Sequence, residues 1–414
     1  MKIGIISLMS DVHDAGTINR ASGPIIAKLK HSFELEEIKI ETIDSVDLPI
    51  IFVKTGGTEH KFKQLASALL ASGKPLTILS THTNNSLPAS MEILSWANMK
   101  GFKNSLLLHG STETIKKKLE KHISDFEIMG AVKRARIGVI GIPSDWLIAS
   151  HVDPLEISKR WGTTIVNIDL KPMIENITRF SESAAMEILS SFPEPVSKES
   201  IRRKAFVDAV KIYLGLKRTI SEYRLTALTI RCFDLLSTLN NTGCLALARL
   251  NDEGIPAGCE GDIPALFTMM INRLITGTPA FMANPSRIQD RRVTLAHCTV
   301  PMCMVESFSY KTHFESDKGV AIAGNFKKDH VTLSKIGGPL LDQFYAAEGM
   351  IIDSPVSKQL CRTQVTVKMN DKVDYFLTNP LGNHHVMTHG CHAARFNELM
   401  SFFGVFPVKG SSPF

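Results

Sequence analysis

Residues 258–264 read GCEGDIP, and after an apolar stretch residues 277–286 read GTPAFMANPS. This pattern predicts a short strand that ends at the carboxylates Glu260 and Asp262, then a helix, then a second apolar segment that ends at Asn284. In open α/β sheets, ligands bind in the crevice beside the carboxyl ends of the strands. The stretch therefore predicts an α/β fold with candidate functional side chains gathered at one edge of a sheet.

Upstream of this stretch, short β-rich runs alternate with helical patterns. In the first part of the chain the β-rich runs lie at 3–8, 48–53, 75–80 and 104–109. Helical patterns separate them, and such spacing indicates βαβ units and a parallel sheet. The alternation continues further on, with a helix predicted over 233–250. We therefore expect two α/β domains, residues 1–134 and residues 135–276, the second carrying Glu260.

The pattern changes after about residue 277. Short β-type runs with turn residues between them lie at 293–298, 321–326, 330–335, 349–352 and 365–369. No long helix is predicted between these runs, and the next one is predicted at about 392–403. This arrangement predicts an antiparallel or barrel-like third domain over residues 277–414.

Composition and charge argue against several classes of protein. A hydrophobic content of 44% and a net charge of +6 are ordinary for a globular chain, and the short basic runs lack interleaved aromatic residues, so we expect no nucleic-acid partner. Seven cysteines without a framework spacing favour reduced thiols. Residues 1–7 enter a strand pattern at once, and no run of about 18 apolar residues exists. We therefore expect no signal peptide, no membrane association and a cytoplasmic location.

The common nucleotide-binding and zinc motifs are absent from the sequence. It contains no G-x-G-x-x-G after a strand, no Walker loop, no H-E-x-x-H and no paired C-x-x-C. We expect no nucleotide cofactor.

Two carboxylates are candidates for chemistry. Glu260 lies between Cys259 and Gly261, where backbone and ligand can approach closely, and an acidic residue between apolar segments is costly to bury unpaired. Asp262 lies two residues further on, hence on the same face if the strand continues. It also precedes Ile263, at the position where a helix N-cap belongs. A functional role and a capping role are both open for Asp262.

The histidines divide unevenly along the chain. Residues 384–392 hold four of the fourteen, and His297 ends another apolar run. This density predicts that at least one is a metal ligand, whereas we expect His313 and His385 to be structural. A mixed set of Glu, Asn and His donors suits Mn²⁺, Mg²⁺ or Co²⁺ better than a structural zinc.

A set of short motifs, in order along nearly the whole chain, resembles one enzyme family. The motifs are TGGTE at 55–59, NSLPA at 85–89, PSDW at 143–146, CEGD at 259–262, residues 278–284, AHCT at 296–299, THFES at 312–316, VTL at 331–333, GGP at 337–339 and GNH at 382–384. Together they are similar to the L-fucose/L-arabinose isomerase superfamily, and most to its shorter fucose-isomerase-like members.

The resemblance implies both a fold and a reaction. The fold is two flavodoxin- or Rossmann-like parallel-sheet domains followed by a C-terminal, mainly β domain that contains a barrel. The reaction is aldose–ketose isomerisation of a monosaccharide through an ene-diol chelated by one divalent ion, most simply Mn²⁺. The cation would stabilise the developing ene-diolate while a carboxylate relays the proton. The resemblance also implies a homo-oligomer with active sites at subunit interfaces.

The metal ligands carry over residue by residue. Glu260 matches the first metal-binding carboxylate, which also acts as base, and His384 matches the metal-binding histidine. His297 matches a further ligand of arabinose-isomerase-type members. Asn284 departs from the family, because it stands where the second carboxylate is expected. An amide can ligate a metal through its oxygen, but it cannot exchange protons at neutral pH.

The lost carboxylate leaves the second proton-transfer role open. Asp262, Glu315 and water are the candidates, and Asp262 is the residue that we place beside Glu260 as catalytic. A non-catalytic sugar-binding paralogue is the alternative that the missing carboxylate suggests. Metal analysis and an aldose–ketose assay distinguish an enzyme from such a paralogue.

Substrate contacts are expected from polar residues at predicted strand and loop ends. The candidates are His82, Asn85, Arg231, Arg287 and Asn383. Since some fucose-isomerase-like proteins act on sulfonated hexoses such as sulfoquinovose, an isomerase of that substrate is a further alternative. His82, Arg231 and Arg287 would then be available to an anionic group.

Overall fold

Parallel strands come first along the chain and antiparallel strands later. The computed structural model describes residues 1–198 and 201–411. Contacts divide the chain into two units, Met1–Glu127 and Ile128–Phe414. The division into three domains at residues 134 and 276 stays a prediction, and residues 412–414 of its last domain lie outside the described residues. Within the described ranges, no helix is both long and apolar enough to cross a bilayer.

The first unit contains a five-stranded parallel sheet. Its strands are β1 Ile3–Leu8, β2 Leu35–Glu37, β3 Leu48–Val53, β4 Thr77–Ser80 and β5 Leu106–Leu108, in the order β2-β1-β3-β4-β5. The helices are α1 Ala15–Lys30, α2 Glu59–Ala71, α3 Ser86–Met99 and α4 Thr112–Arg134, the last of which continues into the second unit. All six residues of β3 are buried, as a central parallel strand with both faces covered requires.

A four-stranded parallel sheet opens the second unit. Its strands are β6 Arg136–Ile140, β7 Thr164–Ile168, β9 Ala227–Ile230 and β10 Ala257–Cys259, in the order β10-β9-β6-β7. The strand β8, Ser197–Lys198, joins a different sheet. The helices are α5 Pro154–Trp161, α6 Leu170–Thr178, α7 Glu182–Leu189, α8 Arg203–Tyr223, α9 Phe233–Leu239, α10 Cys244–Asp252 and α11 Ile263–Thr276.

The single helix predicted over 233–250 is wrong, because the segment forms the two helices α9 and α10. Asn240 adopts a left-handed conformation with φ of 53°, which asparagine tolerates better than most residues and which ends α9. The Asn241 side chain then accepts a hydrogen bond from Thr242 N at 2.8 Å. Local asparagine geometry therefore interrupts the predicted helix.

The C-terminal strands close into a six-stranded antiparallel barrel, which confirms the predicted fold class. The strands after α11, of which six form the barrel, are β11 Phe281–Gln289, β12 Arg292–His297, β13 Ser307–Lys311, β14 Ala321–Asn325, β15 His330–Gly337, β16 Gln343–Asp353, β17 Thr363–Met369, β18 His385–His389 and β19 Phe406–Pro407. The ring runs β15-β18-β11-β12-β17-β16, and β16 pairs back with β15. The strand β19 extends β16, whereas β14, β13 and β8 form a separate sheet. The helices are α12 Tyr375–Thr378 and α13 Ala393–Phe402.

The apolar segment ends at Asn284 as expected, but its strand does not, contrary to the expectation that Asn284 stands at a strand end. The strand β11 continues to Gln289, and its pairing with β12 shifts register between Pro285 and Arg287. Proline cannot donate to a strand ladder and is therefore confined to edges and bulges. The bulge lets the strand continue through Pro285.

The helix α11 joins the two parts of the second unit. Thr268 Oγ1 accepts a hydrogen bond from Ile336 N of β15 at 2.9 Å, and Asn272 donates to Ser334 Oγ at 2.8 Å. These two contacts fix the helix on the outside of the barrel. They also hold the loop that precedes α11 close to one end of the barrel.

His385 lies in a buried aromatic cluster and makes two hydrogen bonds. Its Nδ1 donates to Asn383 O at 3.1 Å, and its Nε2 accepts from the Tyr375 hydroxyl at 2.9 Å. The ring of Tyr375 stacks on Tyr345 with centroids 3.8 Å apart. Burial, together with the charge of Lys335, lowers the pKa of His385 to about 3. The structural role expected for His385 agrees with these contacts.

The neutral state of His385 predicts a loss of stability in acid. Its pKa is about 3 in the folded chain and about 6.5 in an unfolded one. Its contribution is therefore present above about pH 6.5 and is lost as pH falls below that value. Between about pH 7.5 and about pH 5 we expect wild type to lose about 2 kcal/mol more unfolding free energy than His385→Gln. Urea unfolding of both proteins at both pH values measures the difference, and equal losses would contradict the prediction.

Candidate metal centre

The loop between β10 and α11 makes a sharp turn at Glu260 and Gly261. Both residues have positive φ, 64° and 75°. A Cβ on Gly261 would stand 2.6 Å from Pro143 Cα, so only glycine fits there. Ser144 N donates to Glu260 O at 2.9 Å. The turn is thus fixed against the segment after β6, and a left-handed glutamate is the kind of strained residue found at functional sites.

Three buried side chains from distant parts of the chain converge at this turn. Glu260 follows β10, His297 ends β12 and His384 precedes β18, and one ligand atom from each lies within 4.8 Å of the others. Glu260 Oε1 is 3.4 Å from His384 Nε2 and 4.0 Å from His297 Nε2. The ring centroids of the two histidines are 5.4 Å apart. The sequence singled out all three residues, and the structure brings them together.

The donor set fits a divalent cation. His384 Nε2 is buried and makes no hydrogen bond among the described residues, which is a costly state for a polar atom unless a ligand satisfies it. Two imidazoles and one carboxylate leave coordination positions open for substrate, as in catalytic rather than structural metal sites. The group can therefore hold a metal ion.

Hydrogen bonds to the far ring nitrogens orient both imidazoles. His384 Nδ1 lies 2.9 Å from Asp262 Oδ2, and His297 Nδ1 lies 2.9 Å from Thr299 Oγ1. Because the carboxylate of Asp262 only accepts, Nδ1 of His384 is the donor. Such bonds commonly fix the tautomer and direction of metal-binding histidines.

The charges at the centre stabilise one another. Burial alone would raise the pKa of Glu260, but His384, His297 and the Trp146 hydrogen bond bring it down to about 2. Burial likewise opposes ionisation of His384, yet Asp262 and Glu260 raise its pKa to about 9. Burial and the neighbouring His384 together lower the pKa of His297 to about 4. Without a metal ion, the centre therefore holds an ionised Glu260 beside one positive charge, which lies on His384. A bound cation would take the place of the proton on Nε2 of His384 and of its charge.

Two residues that were not among the site candidates from the sequence contact the carboxylates of the centre. Trp146 Nε1 donates to Glu260 Oε2 at 2.6 Å, and its indole, half exposed, packs edge-on against Phe233. Lys335 is fully buried, with its Nζ 3.6 Å from Asp262 Oδ2. The signal for Lys335 was available, since it continues the alternating inward positions of β15 where valine and leucine stand before it.

Asp262 is the N-cap of α11. Its Oδ1 accepts from Ala265 N at 2.8 Å, and its Oδ2 accepts from His384. Burial would raise the pKa of Asp262, but Lys335 and His384 hold it at about 2. The capping role considered from the sequence is therefore present, and both carboxylate oxygens are engaged within the protein.

Asn284 lies on β11, which runs between the strands of the two histidines. It stands opposite Ala296 of β12, and Ala283 stands opposite His385 of β18. The same register continued by one residue places Asn284 beside His384. Its role as a metal ligand stays a prediction.

The substrate-binding candidates of the second unit have different surroundings. Arg231 is paired with Asp145 at 3.1 Å and with Asp234 at 3.3 Å, so two carboxylates already balance its charge. Arg287 lines a surface pocket on the barrel whose walls include none of the three converging residues. Asn383 directly precedes His384 and is exposed. Substrate binding by these residues stays a prediction.

The two candidates of the first unit follow β4. His82 packs against His109 with ring centroids 4.4 Å apart. Asn85, with φ of 54°, is the N-cap of α3. Their contribution to substrate binding also stays a prediction.

Comparison with known proteins gives distant and partial similarity to sugar isomerases. No protein-family model matches the chain. The chain is 25% identical over 158 residues to the sulfoquinovose isomerase of Clostridium sp. (strain MSTE9), and this match covers 36% of the chain and 34% of that protein. It is 21% identical over 190 residues to the sulfoquinovose isomerases of Priestia aryabhattai and Priestia megaterium, and each match covers 45% of this chain and 43% of the relative. The matches thus span less than half the length of these relatives.

The geometry predicts one divalent ion per chain. Glu260→Gln and His384→Gln each remove a ligand or its charge, so we expect each to weaken binding of Mn²⁺ and Co²⁺ by at least about 100-fold. This loss exceeds the one expected when a residue that only hydrogen-bonds to a metal ligand is removed. Calorimetric titration of the metal-free protein measures both affinity and stoichiometry. Glu306→Gln, on an exposed glutamate before β13, is the matched control and should bind as wild type does. Wild-type affinity in the two ligand variants would contradict the assignment.

Proposed function

We propose that the chain is a metal-dependent aldose–ketose isomerase of a monosaccharide. The observation that carries the proposal is the buried convergence of Glu260, His297 and His384, with Nε2 of His384 lacking any hydrogen bond among the described residues. The distant relatives support it, because their names describe isomerases of a sugar. The resemblance in the sequence motifs supports Mn²⁺ as the metal and a homo-oligomer with active sites between subunits.

Glu260 is the proposed base. Its lowered pKa keeps the carboxylate ionised at neutral pH, which is the form that can accept a proton. The hydrogen bond from Trp146 fixes the carboxylate so that Oε1 faces the two imidazoles and Oε2 faces the half-exposed indole. The apolar face of the indole offers a surface for the sugar. A bound divalent ion would supply stabilisation of the negative charge that develops on the substrate oxygens.

One carboxylate is enough to move the proton. The two carbons that exchange it are neighbours, so a base on one face of an ene-diol reaches both. The amide of Asn284 in place of a second carboxylate is therefore compatible with isomerisation. Protons on the substrate oxygens can pass through water.

The proposal predicts interconversion of an aldose and its ketose in the presence of Mn²⁺. Glu260→Gln should lower kcat by about 10²–10⁴-fold, the range typical of a lost general base, whereas Glu306→Gln should not change it. Product formation from pentoses, deoxyhexoses, hexoses and a sulfonated hexose can be followed by chromatography. Absence of turnover on all of them by metal-loaded protein would favour the non-catalytic sugar-binding paralogue.

A sulfonated hexose is the second, more specific candidate for the substrate. The similarity to three sulfoquinovose isomerases is the observation that favours it. A chain with a net charge of +6 also attracts an anionic sugar through its long-range field.

This candidate predicts a preference for the sulfonate over the parent sugar. We expect kcat/KM for sulfoquinovose to exceed that for glucose by at least about 100-fold, the value of one or two charge-assisted hydrogen bonds. The preference should weaken as salt is added, because screening reduces attraction between exposed charges. Equal kcat/KM values for the two sugars would contradict a preference for the sulfonated hexose, but they would not contradict the isomerase proposal.

A further inference from the structure

The carboxylate of Asp262 connects three elements of the fold. Its Oδ1 caps α11 through Ala265 N, its Oδ2 accepts from His384 Nδ1, and Lys335 Nζ of β15 lies 3.6 Å from the same Oδ2. Asp262, His384 and Lys335 are each completely buried. A fully buried lysine is rare unless an opposite charge is present.

The position of His384 separates Asp262 from the side where substrate would bind. Asp262 contacts Nδ1 of the ring, whereas Glu260 faces Nε2 on the other side. An acid or base must lie within hydrogen-bond distance of the proton that it moves, directly or through one water. With both of its oxygens engaged and no exposed surface, Asp262 does not meet this requirement.

The proposed reaction assigns no step to Lys335, although its side chain is completely buried beside Asp262. Its Nζ makes no hydrogen bond among the described residues, and its ion pair is with Asp262. A buried ammonium without a counter-charge would cost several kcal/mol. The lysine therefore requires an ionised Asp262, and the carboxylate in turn has a fixed positive neighbour.

We propose that Asp262 is a positioning residue for His384, with Lys335 as its buried counter-charge, rather than the second proton-transfer group. The inference rests on the proposed metal centre. By accepting from Nδ1, the carboxylate leaves the lone pair of Nε2 directed at Glu260 and any ion between them. Lys335 keeps the carboxylate an acceptor and so preserves that direction of the hydrogen bond.

The test separates a structural contribution of Asp262 from its effect on the metal ligand. Asp262→Asn leaves Lys335 unpaired and should lower the midpoint of urea unfolding. The double variant Asp262→Asn with Lys335→Met removes both charges and should recover much of that loss, because the two sites are coupled. Affinity for Mn²⁺, measured by calorimetry, should remain about 10–100-fold weaker than wild type in the double variant, since the orienting carboxylate is still missing.

Turnover at saturating Mn²⁺ then distinguishes positioning from proton transfer. A positioning role predicts that the double variant recovers to within about tenfold of wild-type kcat once the metal site is filled. Asp153→Asn, at the exposed N-cap of α5, is the matched control for the cap and should leave Mn²⁺ affinity unchanged. The control also shows whether an Asp-to-Asn change at a helix cap is harmless by itself.

Two results would overturn the inference. One is wild-type Mn²⁺ affinity in the double variant. The other is a kcat that stays lower by about 100-fold or more at full metal occupancy, which would assign proton transfer to Asp262. If the wild-type protein binds the metal but isomerises no sugar, that result contradicts the proposed function and not the positioning role of Asp262.

Discussion

Buried charge requires buried counter-charge, and this constraint governs the centre around Glu260. Asp262 is completely buried and Glu260 is nearly so, and both carboxylates lie beside His384, with Lys335 next to Asp262. Each ion would be costly alone, and removal of one partner leaves the other uncompensated. The four groups therefore form one electrostatic unit, in which the imidazole lies between the carboxylates and the ammonium neutralises the deeper one.

The fold contributes what local sequence cannot, namely the meeting of these groups. Glu260 and Asp262 come from the parallel sheet, whereas His297, Lys335 and His384 come from the barrel. Closure of the ring brings β12 and β18 to either side of β11, so that two histidines far apart along the chain become neighbours. The hydrogen bonds between α11 and β15 then hold the carboxylates at the same end. Barrel and sheet are thus both needed for one centre.

Sequence was sufficient where the signal is local. The strand Leu48–Val53 is a continuous apolar run and was predicted with its observed bounds. Glu260 stands beside a glycine after one short strand, and His384 stands two residues after a glycine and just before another strand. Contacts between residues that are far apart in the chain give no such local signal in the sequence. The hydrogen bond from Trp146 to Glu260 spans 114 residues of chain, and the bulge at Pro285 depends on a neighbouring strand. The role of Asp262 was ambiguous for the same reason, because its cap is local and its bond to His384 is not.

The distance along the chain between the three converging residues has a kinetic consequence. Glu260, His297 and His384 come together only after the turn at Gly261 has packed on Pro143 and the ring of six strands has closed. Contacts between residues so far apart in sequence are costly to form early, since each closes a long loop. A ligand that recognises this arrangement stabilises the native state but not the species that precede it. An ion held at this centre would accordingly slow unfolding and leave the rate of folding nearly unchanged.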